Sequence, residues 1–356
     1  MSFRLFYLLC LSFVLFGCTS HENNFQNENF SKITLKYAKS FTLSESQSAY
    51  KLTLINEENQ SEIAHYIFEK QPQSNHRTAI FSSSAVGYLA VLNQLETVIG
   101  VEKRNNIYNP ILVKKRTENH LKEYFDYALV NPEKLANDGV NTIFYSLFST
   151  DLNPLDKKLN QLKITAIPLL EWKEQHPLGK AEWLKVYGIV YGCYDQAVKA
   201  FDEIATEYDE TKDFILYINQ WVAPKVLANT LFQDVWYLPS GNSYTAQIFR
   251  DAGGHYPLKS SGTGSDSFTF EQIYKEYQDA DKWVNVGFGT KKEMLAMYDG
   301  YRHFKAFQTN QMYSFFGNSI KYFEESPVKP HLVLKDLRFI FASDNPQNLY
   351  FYSRVE

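Results

Sequence analysis

Three cysteines in 356 residues leave almost nothing for covalent stapling. Cys10 lies inside an N-terminal apolar segment, Cys18 stands at its end, and Cys193 is alone in the remainder, so the mature chain has no pair to join. No apolar run approaches the ~20 residues that a membrane-spanning helix needs. The formal charge of −4 is small and no Lys/Arg cluster forms a stripe, which excludes nucleic acid and an anionic membrane surface as partners. The eight histidines are scattered singly, and no His-x-His, His-Glu-x-x-His or Cys-x-x-Cys offers two ligands from one element, so neither a metal site nor a cofactor is read. A Gly-x-Ser-x-Gly elbow is missing, Cys193 has no adjacent base, and Gly262-Thr263-Gly264 lacks the Gly-Lys-Ser/Thr ending of a phosphate loop. Catalytic residues are therefore not assigned, and the chain is read as a binding protein and not an enzyme.

What is present begins at the N-terminus. Arg4, the uncharged run from Leu5 to Phe16, and the small Gly17 before Cys18 have the order of a signal peptide with a processing site. Leu15-Phe16-Gly17-Cys18 resembles a lipobox, whose cysteine is acylated and becomes the first residue after cleavage. Residues 1–17 are thus a leader and 18–30 a lipid anchor with a polar spacer. This places the protein in the periplasm or cell envelope, held to a membrane by lipid on Cys18 alone.

Beyond the spacer, Ile33-Leu35-Tyr37, Tyr50-Leu52-Leu54 and Ile63-His65-Ile67 alternate with polar residues and predict a small β-meander over 31–76. From Ala79 the pattern becomes strand, serine turn and helix. Asn131-Pro132 and Asn153-Pro154 each pair an N-cap with proline at the first helical position, and strands at Thr142 and Thr165 follow them. The alternation predicts an α/β lobe over 77–194 with a mostly parallel sheet. From Asp195 to Lys212 no Gly or Pro occurs, and Ala197, Val198, Phe201, Ile204, Ala205 and Tyr208 share one face. That single long helix bridges to a second α/β lobe over 213–356, where strands at Val226–Phe232, Trp283–Val286 and Leu349–Val355 and helices from Ser243, Thr269 and Lys329 repeat the logic of the first. The fold class is α/β: two Rossmann-like lobes, one bridging helix and an N-terminal β extension.

Binding chemistry is sought at strand-to-helix turns, which face the cleft between two such lobes. Ser83 and Ser84 follow the first strand of the lobe and can present hydroxyls and free N–H groups to a ligand. Tyr145, Trp172, Trp236, Tyr237 and Phe288 occupy comparable turns with flat, amphipathic side chains suited to a large planar or chelated ligand.

These segments, in order, resemble the helical-hinge class III substrate-binding proteins of ABC importers. RTAIFSSS at 77–84 with LNQLETVIGV at 92–101 looks like the family's opening strand, helix and second strand, and NPEKL at 131–135 its next unit. HPLGKAEW at 176–183, WYLPSGNSYTAQIFRDAGG at 236–254, Gly317-Asn318 and VKPHLVLKDL at 328–337 resemble its Bacteroidota lipoprotein branch. The resemblance implies a monomer that captures a metal chelate, namely a ferric siderophore or other iron complex, haem or cobalamin, and delivers it to an ABC permease with its ATPase. It adds Asn318 to the ligand-binding candidates. It also implies one acid on each lobe that docks on the permease: Glu271 on the second, and Asp151 or Asp156 on the first. The alternatives are a cell-envelope hydrolase using a turn serine, and a capture lipoprotein without a permease.

Overall fold

The computed structural model describes residues 25, 28–57, 59–72, 75–149, 151–216 and 222–356. Cys18, the lipobox and the apolar leader lie outside the described residues. Among those described, no helix is long and apolar enough to cross a membrane.

Strands β1 (Ser31–Ile33), β2 (Phe41–Glu45), β3 (Ala49–Ile55) and β4 (Glu62–Glu69) form an antiparallel meander in the order β1-β2-β3-β4. Phe41, Leu43, Leu52 and Leu54 alternate inward and are buried. The alternation at Ile33-Leu35-Tyr37 does not make one strand, because the next backbone groups have other acceptors. The buried Glu182 carboxylate takes the N–H groups of Lys36, Tyr37 and Ala38 at 2.8–3.1 Å. Buried Glu174 takes those of Lys39 and Ser40, together with the Trp183 indole N–H. The extension is thereby clasped to the lobe that follows.

That lobe is a five-stranded parallel sheet in the order β7-β6-β5-β8-β9, made of β5 (Thr78–Phe81), β6 (Val98–Val101), β7 (Lys122–Glu123), β8 (Thr142–Ser146) and β9 (Thr165–Leu169). Helices α1 (Ser84–Val91), α2 (Pro110–Thr117), α3 (Pro132–Asn137) and α4 (Pro154–Gln161) connect its strands. Local chemistry explains their starts: Asn109, Asn131 and Asn153 each accept a first-turn backbone N–H, and proline follows each. The strands run outward from β5 to β7 on one side and from β8 to β9 on the other. The order reverses between β5 and β8, so a crevice opens at their carboxyl ends.

Helices α5 (Pro177–Glu182) and α6 (Leu184–Val190) lead to α7, Tyr194–Leu216, which extends the expected 195–212 helix at both ends. Its 23 residues span about 34 Å at ~1.5 Å per residue. Ala197, Phe201 and Tyr208 are buried along it, and it packs on α6 from one lobe and on α13 (Pro330–Ala342) from the other. The Tyr208 hydroxyl donates to Asp251 of the second lobe at 2.7 Å.

The second half is less regular than its sequence suggests. Its parallel core is β10 (Val226–Ala228) with β14 (Lys282–Val284), flanked by single parallel bridges at His255 and Met312. The expected strand Val226–Phe232 is broken at Asn229, whose φ of 59° is left-handed. Leu231–Phe232 becomes β11 and turns back through Gln233 and Asp234, both with positive φ, to pair with β12 (Val235–Pro239). Strand β13 (Ser265–Phe268) completes that antiparallel sheet. Helices α8 (Tyr244–Asp251), α9 (Phe270–Tyr277), α10 (Lys291–Met297), α11 (Lys305–Gln308) and α12 (Ser319–Glu325) surround the core. The expected closing strand Leu349–Val355 shrinks to Ser353–Arg354, paired with Tyr313–Ser314. The N–H groups of Tyr350, Phe351 and Tyr352 go instead to the buried Asp336 carboxylate.

Candidate functional site

The crevice at the β5/β8 reversal encloses about 1180 Å³. Its floor is hydroxylic. Ser82 and Ser84 Oγ atoms lie 2.8 Å apart, Ser146 donates to Ser82 at 3.0 Å, and Ser84 donates to Glu171 Oε1 at 2.6 Å. These are the residues at the ends of β5 and β8 and just after β9, so the sheet itself sets their spacing. Ser83 is the N-cap residue of α1, exposed in the crevice, and makes no side-chain cap bond. The serine hydrogen bonds run to one another and to a carboxylate, and none runs to an imidazole.

Aromatic rings form the walls. Trp172 donates its indole N–H to the Leu147 carbonyl at 3.1 Å, and its ring lies 5.6 Å from that of Phe148. Phe148 is 76% exposed. Tyr244 and Phe323 face them from the second half, and the Lys180 ammonium sits 4.7 Å above the Tyr244 ring. Tyr145 also lines the crevice, but its hydroxyl is turned away and donates to Asp156 at 2.5 Å. Tyr127 stacks on Tyr145 with centroids 3.9 Å apart and donates to the same carboxylate. Burial raises the Asp156 carboxyl above its ordinary range, against the two tyrosine bonds.

This corrects several sequence expectations. Asp156 is not an outward-facing acid, because two tyrosines hold its carboxylate beneath the crevice wall. Trp236 is fully buried in the second lobe, stacked on Trp283 at 5.5 Å with its N–H on the Ala228 carbonyl. Tyr237 points outward from β12, Phe288 packs against the core, and Asn318 donates to the Phe351 carbonyl at 3.2 Å. None of these four is among the residues lining the crevice. The expectation for Trp236, Tyr237 and Phe288 rests on analogy with turns of the first lobe, whose five-stranded arrangement the second lobe does not reproduce, and that for Asn318 on the family resemblance. Phe148, Tyr244, Phe323 and Glu171 line the site and were missed. Glu171 and Phe148 carry a usable signal, since each lies two residues past a strand's carboxyl end, β9 and β8 respectively.

The remaining candidates sit on the surface. Asp151 is exposed at the crevice rim. Glu271 is exposed in the first turn of α9, where Thr269 and Gln272 form a reciprocal capping box. Its carboxyl is held below its ordinary range by a bond to its own backbone N–H and by Thr269. Cys193 is a half-buried free thiol whose pKa burial raises. No group of three or more His, Cys, Asp or Glu side chains that could hold a metal ion occurs among the described residues.

No protein-family profile matches the chain. In sequence it is similar to an uncharacterized lipoprotein of Methanocaldococcus jannaschii, 26% identical over 283 residues, 74% of this chain and 64% of that protein. A second uncharacterized lipoprotein of that organism is 20% identical over 209 residues, covering 54% and 53%. The chain thus spans less than two thirds of the length of these relatives. Among solved structures it is similar to a periplasmic heme-binding protein from Pseudomonas aeruginosa, with a TM-score of 0.61 and 14% identity over 79% of this chain and 98% of that one. It is also similar to a possible iron-binding, periplasmic solute-binding protein from Staphylococcus epidermidis, with a TM-score of 0.58, 15% identity, and coverage of 76% and 100%. The fold is that of the class III periplasmic solute-binding proteins. In those terms α7 is the helix that joins the lobes.

Proposed function

We propose that this protein is the substrate-binding lipoprotein of an ABC importer, anchored through Cys18 in the cell envelope, which captures a metal chelate between its lobes and hands it to a permease powered by an ATPase. The observation that carries the reading is the crevice itself. It lies at the reversal of a parallel sheet, faces a second half joined by one continuous helix, and combines a hydroxyl floor with aromatic walls from both halves. Ferric siderophores, other iron complexes, haem and cobalamin all offer the planar or chelated surface that such walls suit. Glu271 and Asp151 are the acids free to dock on a permease, one on each half. Titrating the soluble body from Ser31 onward with cobalamin, haem and ferric siderophores, and following tryptophan quenching from Trp172, tests the reading. Saturable quenching by one class with a dissociation constant of micromolar or below supports it; no quenching by any class removes it.

A further inference from the structure

Helices α5 and α8 meet where the first half of the chain touches the second, and one residue from each helix opens onto the crevice there. Lys180 of α5 and Tyr244, the first residue of α8, also line a second cavity of about 20 Å³, so the pair stands where the crevice and that cavity adjoin. The base of Lys180 is fixed, because its carbonyl accepts the hydroxyl of the buried Tyr88 at 2.6 Å. Its ammonium lies 4.7 Å from the centre of the Tyr244 ring. Half-buried, that ammonium makes no hydrogen bond or ion pair among the described residues. The Tyr244 hydroxyl, on the same ring, also has no hydrogen-bond partner among them. Such an ammonium has shed part of its water, and a ring face returns less than a charge-assisted hydrogen bond would. The acids of the crevice do not neutralise it. Glu171 is bound to the Ser84 hydroxyl and Asp126 to the Ala128 N–H, and neither these two nor Glu102 and Asp151 pair with Lys180. All four belong to the first half, so an anionic group entering the crevice is repelled from that side and finds its one cationic partner among the described lining residues at the seam.

We infer that Lys180, held over the Tyr244 ring, is a subsite for a carboxylate on the periphery of the ligand. The inference rests on the proposed role in chelate capture and narrows its substrate class to chelates that carry such a group. The aromatic walls take the body of the chelate, and the seam takes its charged edge. Because Lys180 and Tyr244 come from opposite halves, a carboxylate seated there touches both at once and fixes the ligand's orientation across the crevice.

Three matched pairs of chelates, each differing in its carboxylates, test the subsite: an iron(III) trihydroxamate N-succinylated or N-acetylated at its terminal amine, haem or its dimethyl ester, and a cobalamin monocarboxylate or cobalamin itself. Each is titrated by tryptophan quenching into the full-length protein in detergent and into its Lys180→Met and Lys180→Gln variants. In the pair that binds most tightly, the carboxylate member is expected to bind the wild-type protein about 10-fold tighter than the neutral one, the size of one charge-assisted hydrogen bond. Both variants are expected to bring the two members to equal affinity. Equal or tighter binding of the neutral member by the wild-type protein overturns the subsite and leaves chelate capture standing. An unchanged preference in either folded variant also overturns it. If no member of any pair binds, the subsite and chelate capture fall together.

Discussion

The carbonyl oxygen of Glu324 lies 2.1 Å from where a Cβ on Gly87 would stand. Gly87 is on α1 of the first lobe and Glu324 on α12 of the second, so the absence of one methyl group lets the halves meet beside the crevice. The Glu324 carboxylate adds to this contact by accepting the N–H groups of Tyr108 and Asn109, each at 2.8 Å. Gly87→Ala must move backbone and not a flexible side chain. The expected cost is about 1–3 kcal/mol, read as a lower midpoint in thermal unfolding, with ligand affinity lowered as α12 shifts.

Acidity acts on the same contact. Burial pushes the carboxyls of Glu324 and Glu174 up to about 7. Both therefore bind a proton more readily folded than unfolded. Their contribution to stability is full below the ordinary carboxylate value of about 4.5 and is lost as the pH rises through about 7. The expected amplitude is on the order of 3 kcal/mol for each group. Denaturant unfolding of Glu324→Gln and Glu174→Gln from pH 4.5 to 8 checks this: each variant should show a smaller fall in stability with rising pH than the wild type. Parallel curves would refute the assignment.

Glu182 offers a sharper loss. It is fully buried, accepts three backbone N–H groups from residues 36–38, and pairs with the nearly buried Lys185 ammonium at 2.6 Å. Glu182→Ala leaves that ammonium and three donors without their acceptor, at a cost of about 3–5 kcal/mol. Amide hydrogen exchange should show protection lost first at residues 36–40, while the β5–β9 sheet keeps its own.

Docking on a permease is testable apart from binding. Glu271→Arg is expected to reduce uptake by at least about 10-fold, through charge reversal at a docking contact, with ligand affinity unchanged, whereas Asp151→Arg, at the crevice rim, is expected to reduce uptake and to alter ligand affinity as well. Asp156→Asn is expected to behave differently, because its carboxylate serves Tyr127 and Tyr145. It should lower stability by about 1–3 kcal/mol without a docking defect. Full uptake by Glu271→Arg would remove the docking role of that residue.

Much of the fold is legible in the sequence wherever its determinants are local. Asn131-Pro132, Asn153-Pro154 and the Thr269/Gln272 pair announce helix starts within four residues, and the structure places α3, α4 and α9 there. The long apolar stripe on α7 is equally direct. Legibility fails where a residue's partner is remote. Asn229 is a residue type that tolerates left-handed backbone, a signal outweighed in the strand reading by its apolar neighbours, and nothing near residues 350–352 foretells that Asp336 takes their N–H groups. The crevice divides in the same way. Ser83, Ser84, Tyr145 and Trp172 are found from strand ends, whereas Phe323 enters from a helix in the other half, 177 positions beyond Ser146.

The carboxylate clasp on residues 36–40 also decides where mechanical load enters the protein. The chain leading back toward Cys18 joins the body at β1, a three-residue edge strand, only a few positions before the clasp. Under the proposed anchoring through Cys18, a pull on the N-terminal chain would be met by Glu174 and Glu182, which stand beside and within α5. Helix α5 also touches α8 and α13 of the second half, so load arriving at the clasp is shared by both sides of the crevice and does not fall on the first lobe alone.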